Sequence, residues 1–291
     1  MKEIKLFCFG FGQVAKNFVK KLNSENFTVK LFTTSRNKSS TQKFGRLTYS
    51  NLQFDNNIFD PIINEQVMNS DHILISIPPR DGTDFVIKNF SKSIQNSNIK
   101  WITYLSATSV YGNHKGEWVN EKSETKPVSL NGISRLSAEK LWFSLYLHKK
   151  LPIQIFRLSG IYSNENNILV RLKSFTAKIV NKKKHFFSRI HVDDIANILF
   201  KSLSKFKSGE IYNISDDKPS SSEEVTLYGV KLLNVNKPKI IEVQNIENEM
   251  LKNFYKDSKK VSNKKMKDFF KYNLKFPTYL EGLKYIRNNF I

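Results

Sequence analysis

The six residues GFGQVA at positions 10–15, set directly after the apolar run EIKLFCF (3–9), constrain this chain more than any other stretch. Gly10 permits a tight turn, Gly12 lets the backbone come close to a ligand, and Ala15 allows a helix to pack tightly on a strand. A helix opening at Gln13 and Val14 aims its unpaired N–H groups and the positive end of its dipole out of that turn, where phosphates bind. Alone the motif is weak, and a purely structural glycine turn is its plain alternative. Its context strengthens it: an amphipathic stretch, QVAKNFVKKLN, follows, and then a second apolar run, FTVKLF (27–32).

The same alternation continues with HILISI (72–77), DFVIKNFSKSI and KWITYL (100–105). The apolar runs are nearly continuous, as in strands buried on both faces, and the stretches between them have helical spacing. The pattern predicts an α/β fold, a Rossmann-type doubly wound parallel sheet that binds a dinucleotide. The end of the second strand then speaks to which one. A carboxylate there holds a free ribose, whereas an arginine accommodates a 2′-phosphate. Residues 31–38 read LFTTSRNK, with no Asp or Glu. Thr34, Ser35 and Arg36 supply donors, and Arg36 can clamp a phosphate with two hydrogen bonds. NADP is therefore the expected cofactor, with NAD as the alternative, and Arg36 as a mere solvated residue is the bland reading.

Composition sets outer limits. With 291 residues and 40% hydrophobic content there is room for one large domain, or a domain and a smaller lobe. No apolar run approaches the roughly 18–20 residues of a membrane span. The single cysteine, Cys8, rules out an intrachain disulfide. The short N-terminal apolar run holds two glycines and no small-residue cleavage site, so a cytoplasmic location without membrane attachment is expected. The net charge of +21 raises nucleic-acid binding. The lysines, however, are spread along the whole chain, and the densest cluster, NKKKH (181–185), reads as a solvated loop. No nucleic-acid partner is expected.

Beyond residue 100, five segments fall in order: YLSATSVYGNHKGEWVNE (104–121), IFRLSGIYS (155–163), SRIHVDDIANIL (188–199), GEIYNISDDKPSSSEEV (209–225) and KKVSNKKMKDFFKYNLKFPTYLEGL near the end. With the glycine turn they make the chain resemble the extended short-chain dehydrogenase/reductases, the NAD-dependent epimerase/dehydratase family, and in particular its atypical YeeZ-like subgroup. The resemblance implies a cofactor domain over residues 1–160, with residues near 188–215 returning to pack on it. A smaller, mainly C-terminal substrate lobe would fill 161–291. It also implies Ser76 and Ser106 near the cofactor, a small-molecule substrate, and a homodimer as one possible assembly.

Active members of that family carry a tyrosine and a lysine four residues apart on one helix, and a serine or threonine after a strand. The tyrosine trades a proton with the substrate oxygen. The lysine lowers the tyrosine's pKa and holds the ribose, and the third hydroxyl orients the substrate. Aligned on LNGISRLSAEK (130–140), the tyrosine position here is Asn131 and the lysine position Arg135, while Ala107 takes the place of the Ser/Thr. An amide cannot exchange a proton near neutral pH. Arg135 retains charge and donors for a ribose but cannot act as a base. Ser106 and Thr108 flank Ala107. The arginine with which nucleotide-sugar enzymes of the family hold a pyrophosphate falls on Phe187, with Arg189 two residues on, which makes a nucleotide sugar a less apt substrate.

The remaining proton-handling candidates are Tyr111 and His114, each more plainly read as a packed and a solvated loop residue. Asp193 and Asp194 read as helix-cap residues. Trp118 and Trp142 could line a cleft, though core packing is the plainer role. His185 and His191 lack the surroundings of a metal site, and no metal is expected. Two functions follow: an NADP-dependent oxidoreductase or epimerase-like enzyme with a non-standard site, or a catalytically silent NADP-binding sensor or scaffold.

Overall fold

A computed structural model describes residues 2–182, 184–248, 252 and 254–291. Its contacts divide the chain into two compact units. Unit 1 holds Met1–Ala107, Ile133–Arg157 and Ile195–Tyr212, and unit 2 holds Thr108–Gly132, Leu158–Asp194 and Asn213–Ile291. The chain thus passes from one to the other several times, and the segment 108–132, which the sequence reading assigned with the first domain, groups with unit 2.

Unit 1 is built on a nine-stranded sheet. In chain order its strands are β1 (Lys2–Phe9), β2 (Phe27–Ser35), β3 (Ser40–Phe44), β4 (Leu47–Asp55), β5 (Ile58–Phe59), β6 (His72–Ile75), β7 (Trp101–Ala107), β9 (Ile153–Leu158) and β13 (Glu210–Ile214). They lie in the order β13-β9-β7-β6-β1-β2-β4-β3, with β5 paired to β4. The pairs β1–β2, β1–β6, β2–β4 and β6–β7 are parallel, and β3 runs antiparallel to β4 at the edge. With β3 set aside this is the doubly wound order, in which the chain starts at the centre, moves outward, and restarts on the other side. The expected α/β class holds.

The four strands read from sequence are those whose residues are buried on both faces, as in β1, β6 and β7. HILISI ends as a strand at Ile75, because Ser76 and Ile77 turn to donate their N–H groups to the Phe9 carbonyl. The β3–β4 hairpin went unread because STQKF is exposed and polar, and the turn at Gly45 (φ +60°) gave little warning. Helix α1 (Gln13–Ser24) buries Val14, Ala15, Phe18, Val19 and Leu22 on one face. Helices α2 (Ile62–Met68) and α3 (Phe85–Gln95) cover the sheet together with α4 (Leu130–Lys149), whose Trp142 is fully buried. Trp142 donates from Nε1 to Asp84 at 2.8 Å, and Asp84 also caps α3 by accepting from Val86 and Ile87. Trp142 is therefore a core residue.

Unit 2 has a core of Tyr162, Ile168, Leu169, Leu172, Val225, Tyr279, Leu283 and Ile286. Its small parallel pairs are β10 (Gly160–Tyr162) with β12 (Arg189–His191), β11 (Ile179–Asn181) with β14 (Ile240–Glu242), and β8 (Trp118–Val119) with β15 (Lys260–Val261). Around them lie α5 (Ile168–Lys173), α7 (Ser222–Leu233) and the C-terminal helix Tyr279–Phe290. The last two begin with capping boxes, Ser221 with Glu224 and Thr278 with Glu281, which satisfy the N–H groups their first turns leave free. Among the described residues no helix is long and apolar enough to cross a membrane.

Candidate functional site

The crevice expected of a doubly wound sheet lies beyond the carboxyl ends of the two strands where the winding reverses, here β1 and β6. Gly10 follows β1 with φ +86°, and its N–H donates to Thr34 Oγ1 at 3.0 Å. A side chain there would place its Cβ 2.6 Å from Ile77 Cγ2 and 2.9 Å from Ser76 Oγ. Ser76 seals the turn by donating from Oγ to the Phe9 and Gly10 carbonyls, both at 3.1 Å. Gly12 is different. It is the N-cap of α1 with ordinary extended backbone (φ −82°), makes no side-chain cap bond, and has nothing within 4 Å of where a Cβ would stand. The start of α1 at Gln13 and Val14 thus opens onto space beside an exposed glycine, the arrangement that accepts a pyrophosphate.

At the end of β2, Thr34 is buried, and Ser35 is half-buried and accepts a hydrogen bond from Asn51 at 2.8 Å. Arg36 is exposed and makes no hydrogen bond or ion pair among the described residues. Ser35 and Arg36 line a cavity of about 260 Å³ together with Asp55, Ile77 and Arg80. Arg80 pairs with Asp55 at 2.9 Å across it. Sequence reasoning missed this pair. Asp55 ends a strand it did not detect, and Arg80 precedes a tight turn of Asp81 (φ +48°) and Gly82 (φ +74°), the positive-φ pair of a type I′ turn.

The helix of LNGISRLSAEK is α4, with Asn131 and Arg135 one turn apart. Ser129 caps its start by accepting from the Gly132 N–H at 3.2 Å. Asn131 is exposed. Arg135 donates from Nη1 to the Leu105 carbonyl at 2.8 Å, which fixes it to the end of β7, and its buried Nε has no partner. Ser106 is buried with an unpartnered hydroxyl, and Ala107 closes the strand. Tyr104 lies beneath, fully buried and stacked on Trp142, and burial drives its hydroxyl pKa far above the usual phenol range. It is no replacement acid. Further along α4, Glu139 meets Arg157 in a bidentate buried ion pair with a 2.6 Å contact.

Unit 2 places the other candidates. Thr108 opens the short 3₁₀ turn Thr108–Tyr111 and is half-buried. Tyr111 is fully buried and hydrogen-bonds Asn213 Oδ1 at 2.8 Å. His114 sets Nε2 between the carbonyls of Tyr111 (3.1 Å) and Glu124 (3.2 Å), and so helps to hold a loop. Trp118 is exposed. Asp193 and Asp194 stand in the first turn of α6 (Val192–Ser204), where their charges complement the helix dipole. Asp194 is buried and accepts from Tyr272 Oη and from the N–H groups of Lys275 and Phe276, tying down the C-terminal segment. His191 packs between Tyr162 and Phe276, and burial lowers its pKa to about 4.

The NKKKH cluster is only partly the solvated loop expected of it: Asn181 and Lys184 are exposed, and Lys183 lies outside the described residues. His185 is buried, contacts the Asp257 carbonyl at 2.7 Å, and has its pKa lowered to about 4, while Lys182 donates to the Tyr255 carbonyl. Among the described residues no three His, Cys, Asp or Glu side chains gather as a metal site would require.

Phe187 and Arg189 line a second cavity of about 310 Å³ that lies wholly within unit 2. The Arg189 guanidinium lies 3.5 Å from the Phe187 ring centroid and donates to the carbonyls of Phe187 (3.3 Å) and Ser220 (3.0 Å).

Residues 86–215 match the family model of the NAD dependent epimerase/dehydratase family. One curated protein, a dTDP-D-glucose 4,6-dehydratase of Dictyostelium discoideum, is 26% identical over 174 residues, covering 53% of this chain and 38% of that protein's length. Among solved structures, a functionally unknown conserved protein from Silicibacter pomeroyi DSS superposes with a TM-score of 0.86 at 28% identity, covering 98% of this chain and 99% of that one. A dTDP-glucose 4,6-dehydratase from Bacillus anthracis, solved in complex with NAD, superposes with a TM-score of 0.79 at 17% identity over 99% and 96% of the two chains.

Proposed function

We propose that this chain, which carries an NAD dependent epimerase/dehydratase domain over residues 86–215, is an NADP-dependent oxidoreductase or epimerase-like enzyme that works without the tyrosine–lysine pair. The observation that carries the cofactor half is the contrast between its two glycines. Gly10 has no room for a side chain, whereas Gly12 has ample room yet carries none, beside the open start of a helix. A turn built only for packing explains the first and not the second. The pyrophosphate would rest on the N–H groups at Gln13 and Val14, and the 2′-phosphate on Arg36, with Ser35 and Thr34 at its base. Arg135, fixed to the Leu105 carbonyl, would hold the ribose by its remaining donors. When bound, the cofactor supplies or accepts the hydride; the chain binds and orients it.

A second reading has its own support. Asn131 cannot donate a proton, the Tyr111 hydroxyl is spent on Asn213, and His114 Nε2 is spent on backbone carbonyls. A protein with these groups occupied and a cofactor crevice open fits a sensor or scaffold that binds NADP and turns nothing over.

One experiment separates the two. NADPH consumption is followed against a panel of aldehydes, ketones and keto acids for the wild type, Asn131→Ala, Arg135→Ala and Arg135→Lys, with NADPH affinity measured in parallel. The enzyme reading expects turnover in the wild type. Both readings expect Arg135→Ala to weaken NADPH binding while Asn131→Ala leaves it unchanged and Arg135→Lys keeps most of it. Binding without turnover on any substrate selects the sensor. Loss of binding with Asn131→Ala but not with Arg135→Ala refutes the assignment of the helix.

A further inference from the structure

The unit 2 cavity has a chemistry that the family resemblance does not supply. Its walls are aromatic. Phe187 and Phe254 meet edge to face at 4.3 Å between centroids, Phe254 and Tyr255 at 5.4 Å, and Tyr279 lines the same space. Its charges are all of one sign. Arg171 and Lys178 stand exposed at the rim and Arg189 is buried at the base, with no Asp or Glu among the described residues that line it. Neither the Arg171 guanidinium nor the Lys178 ammonium pairs with a carboxylate among the described residues.

The buried Arg189 is likewise without a carboxylate within ion-pair distance; its guanidinium is met by carbonyls and by the Phe187 ring. Asp216 acts on it electrostatically but stands outside the cavity lining, and burial raises the pKa of that carboxyl to about 8. Aromatic walls also suit a cation, but three positive side chains exclude one. A ligand that satisfies both features has a flat apolar body and a negative head.

Size and shape narrow it further. About 310 Å³ lies at the bottom of the range for small-molecule pockets. Phe187, at the position where the family's nucleotide-sugar enzymes place a phosphate-holding arginine, is wedged in place: a Cβ on Gly160 would lie 3.1 Å from its ring, and Arg189 covers its face. The ring takes up space there and offers no donor.

We propose that the cavity bounded by Phe187, Phe254, Tyr255 and Tyr279 binds a compact planar anion, an aryl carboxylate or aryl phosphate rather than a nucleotide sugar, with Arg171 and Lys178 receiving its negative group. It is the substrate pocket of the proposed enzyme, or the effector pocket of the sensor, and in that respect rests on the function proposed above.

The test uses the full chain and calorimetry supported by ligand-observed NMR. The probes are benzoate and phenyl phosphate, the neutral benzamide, the non-planar cyclohexanecarboxylate, and UDP-glucose. At least one aryl anion binds tenfold or more tighter than benzamide and cyclohexanecarboxylate, and the difference from benzamide shrinks at high salt. The double variant Arg171→Gln/Lys178→Gln, which alters exposed side chains only, lowers its affinity at least tenfold and leaves the circular dichroism and melting temperature unchanged. Phe254→Leu removes the preference for a flat ring while keeping that for charge.

Tighter binding of UDP-glucose than of either aryl anion overturns the proposal, as does equal binding of benzamide or the absence of aryl-anion binding. NADPH is titrated against the same preparation. NADPH binding without aryl-anion binding sinks this inference alone, and the reverse sinks the cofactor assignment alone.

Discussion

Replacing Gly10 and Gly12 in turn by alanine separates what holds the first turn together from what it binds. At Gly10 the backbone is left-handed (φ +86°), which costs a residue with a Cβ about 1–2 kcal/mol. The new methyl would also sit 2.6 Å from Ile77 Cγ2, whereas apolar carbons rest roughly 3.5–4.0 Å apart. Relieving that overlap moves the end of β1 away from the turn after β6, at a cost of about 1–3 kcal/mol for an overpacked site. The sum, about 2–5 kcal/mol, lowers the melting temperature by roughly 4–20 °C for a unit of this size. At Gly12 the backbone suits alanine and the Cβ meets nothing within 4 Å, so stability changes by no more than about 1 kcal/mol, the lower chain entropy of alanine offsetting its weaker N-cap preference. NADPH affinity nonetheless falls about tenfold or more, because the methyl stands where a pyrophosphate must approach the backbone. Thermal melts and calorimetric titrations of both variants read this directly. A Gly12→Ala protein that binds NADPH like the wild type would refute the reasoning, leaving the turn with a packing role only.

Two further perturbations address the scaffold. Glu139→Ala removes the carboxylate that pairs with the Arg157 guanidinium in a site where both side chains are about 5% exposed or less, and should cost about 3–5 kcal/mol in urea unfolding. The double change Glu139→Met/Arg157→Met should recover most of that loss, and a double variant as unstable as the single one would count against the buried pair. Asp216, whose pKa is raised from 3.8 to about 8, binds a proton more tightly folded than unfolded. Its stabilising contribution is complete below pH 4 and is lost as pH rises through about 8. Asp216→Asn should therefore be more stable than the wild type at pH 9, with the gap closing toward pH 4; a gap independent of pH contradicts the shift.

The parts of the fold legible in the sequence were those where burial leaves one solution. Strands β1, β2, β6 and β7 announce themselves because a strand inside a two-faced sheet must be apolar throughout or nearly so. The β3–β4 hairpin lies at the sheet edge, where STQKF faces solvent and carries no such signature. Gly10 was legible as a turn residue because its place depends on backbone geometry directly after a strand. Tyr111 and His114 were not, since their hydrogen-bond partners, Asn213 and the Glu124 carbonyl, come from other segments. Arg80 and Asp55 stand 25 residues apart and were invisible as a pair. The aromatic cavity was hidden for the same reason. Phe187, Phe254 and Tyr279 are far apart in the chain, and spacing alone gives no cause to join them.

The central claim is that this crevice takes NADP, and calorimetric titration of the wild type and Arg36→Ala with NADPH and with NADH tests it most directly. NADPH should bind the wild type more tightly than NADH. Arg36→Ala should remove about 1–3 kcal/mol of that preference, the scale of a charged hydrogen bond, while NADH affinity stays as it was. Equal affinities of the wild type for the two cofactors, or a preference that survives the loss of Arg36, would contradict it.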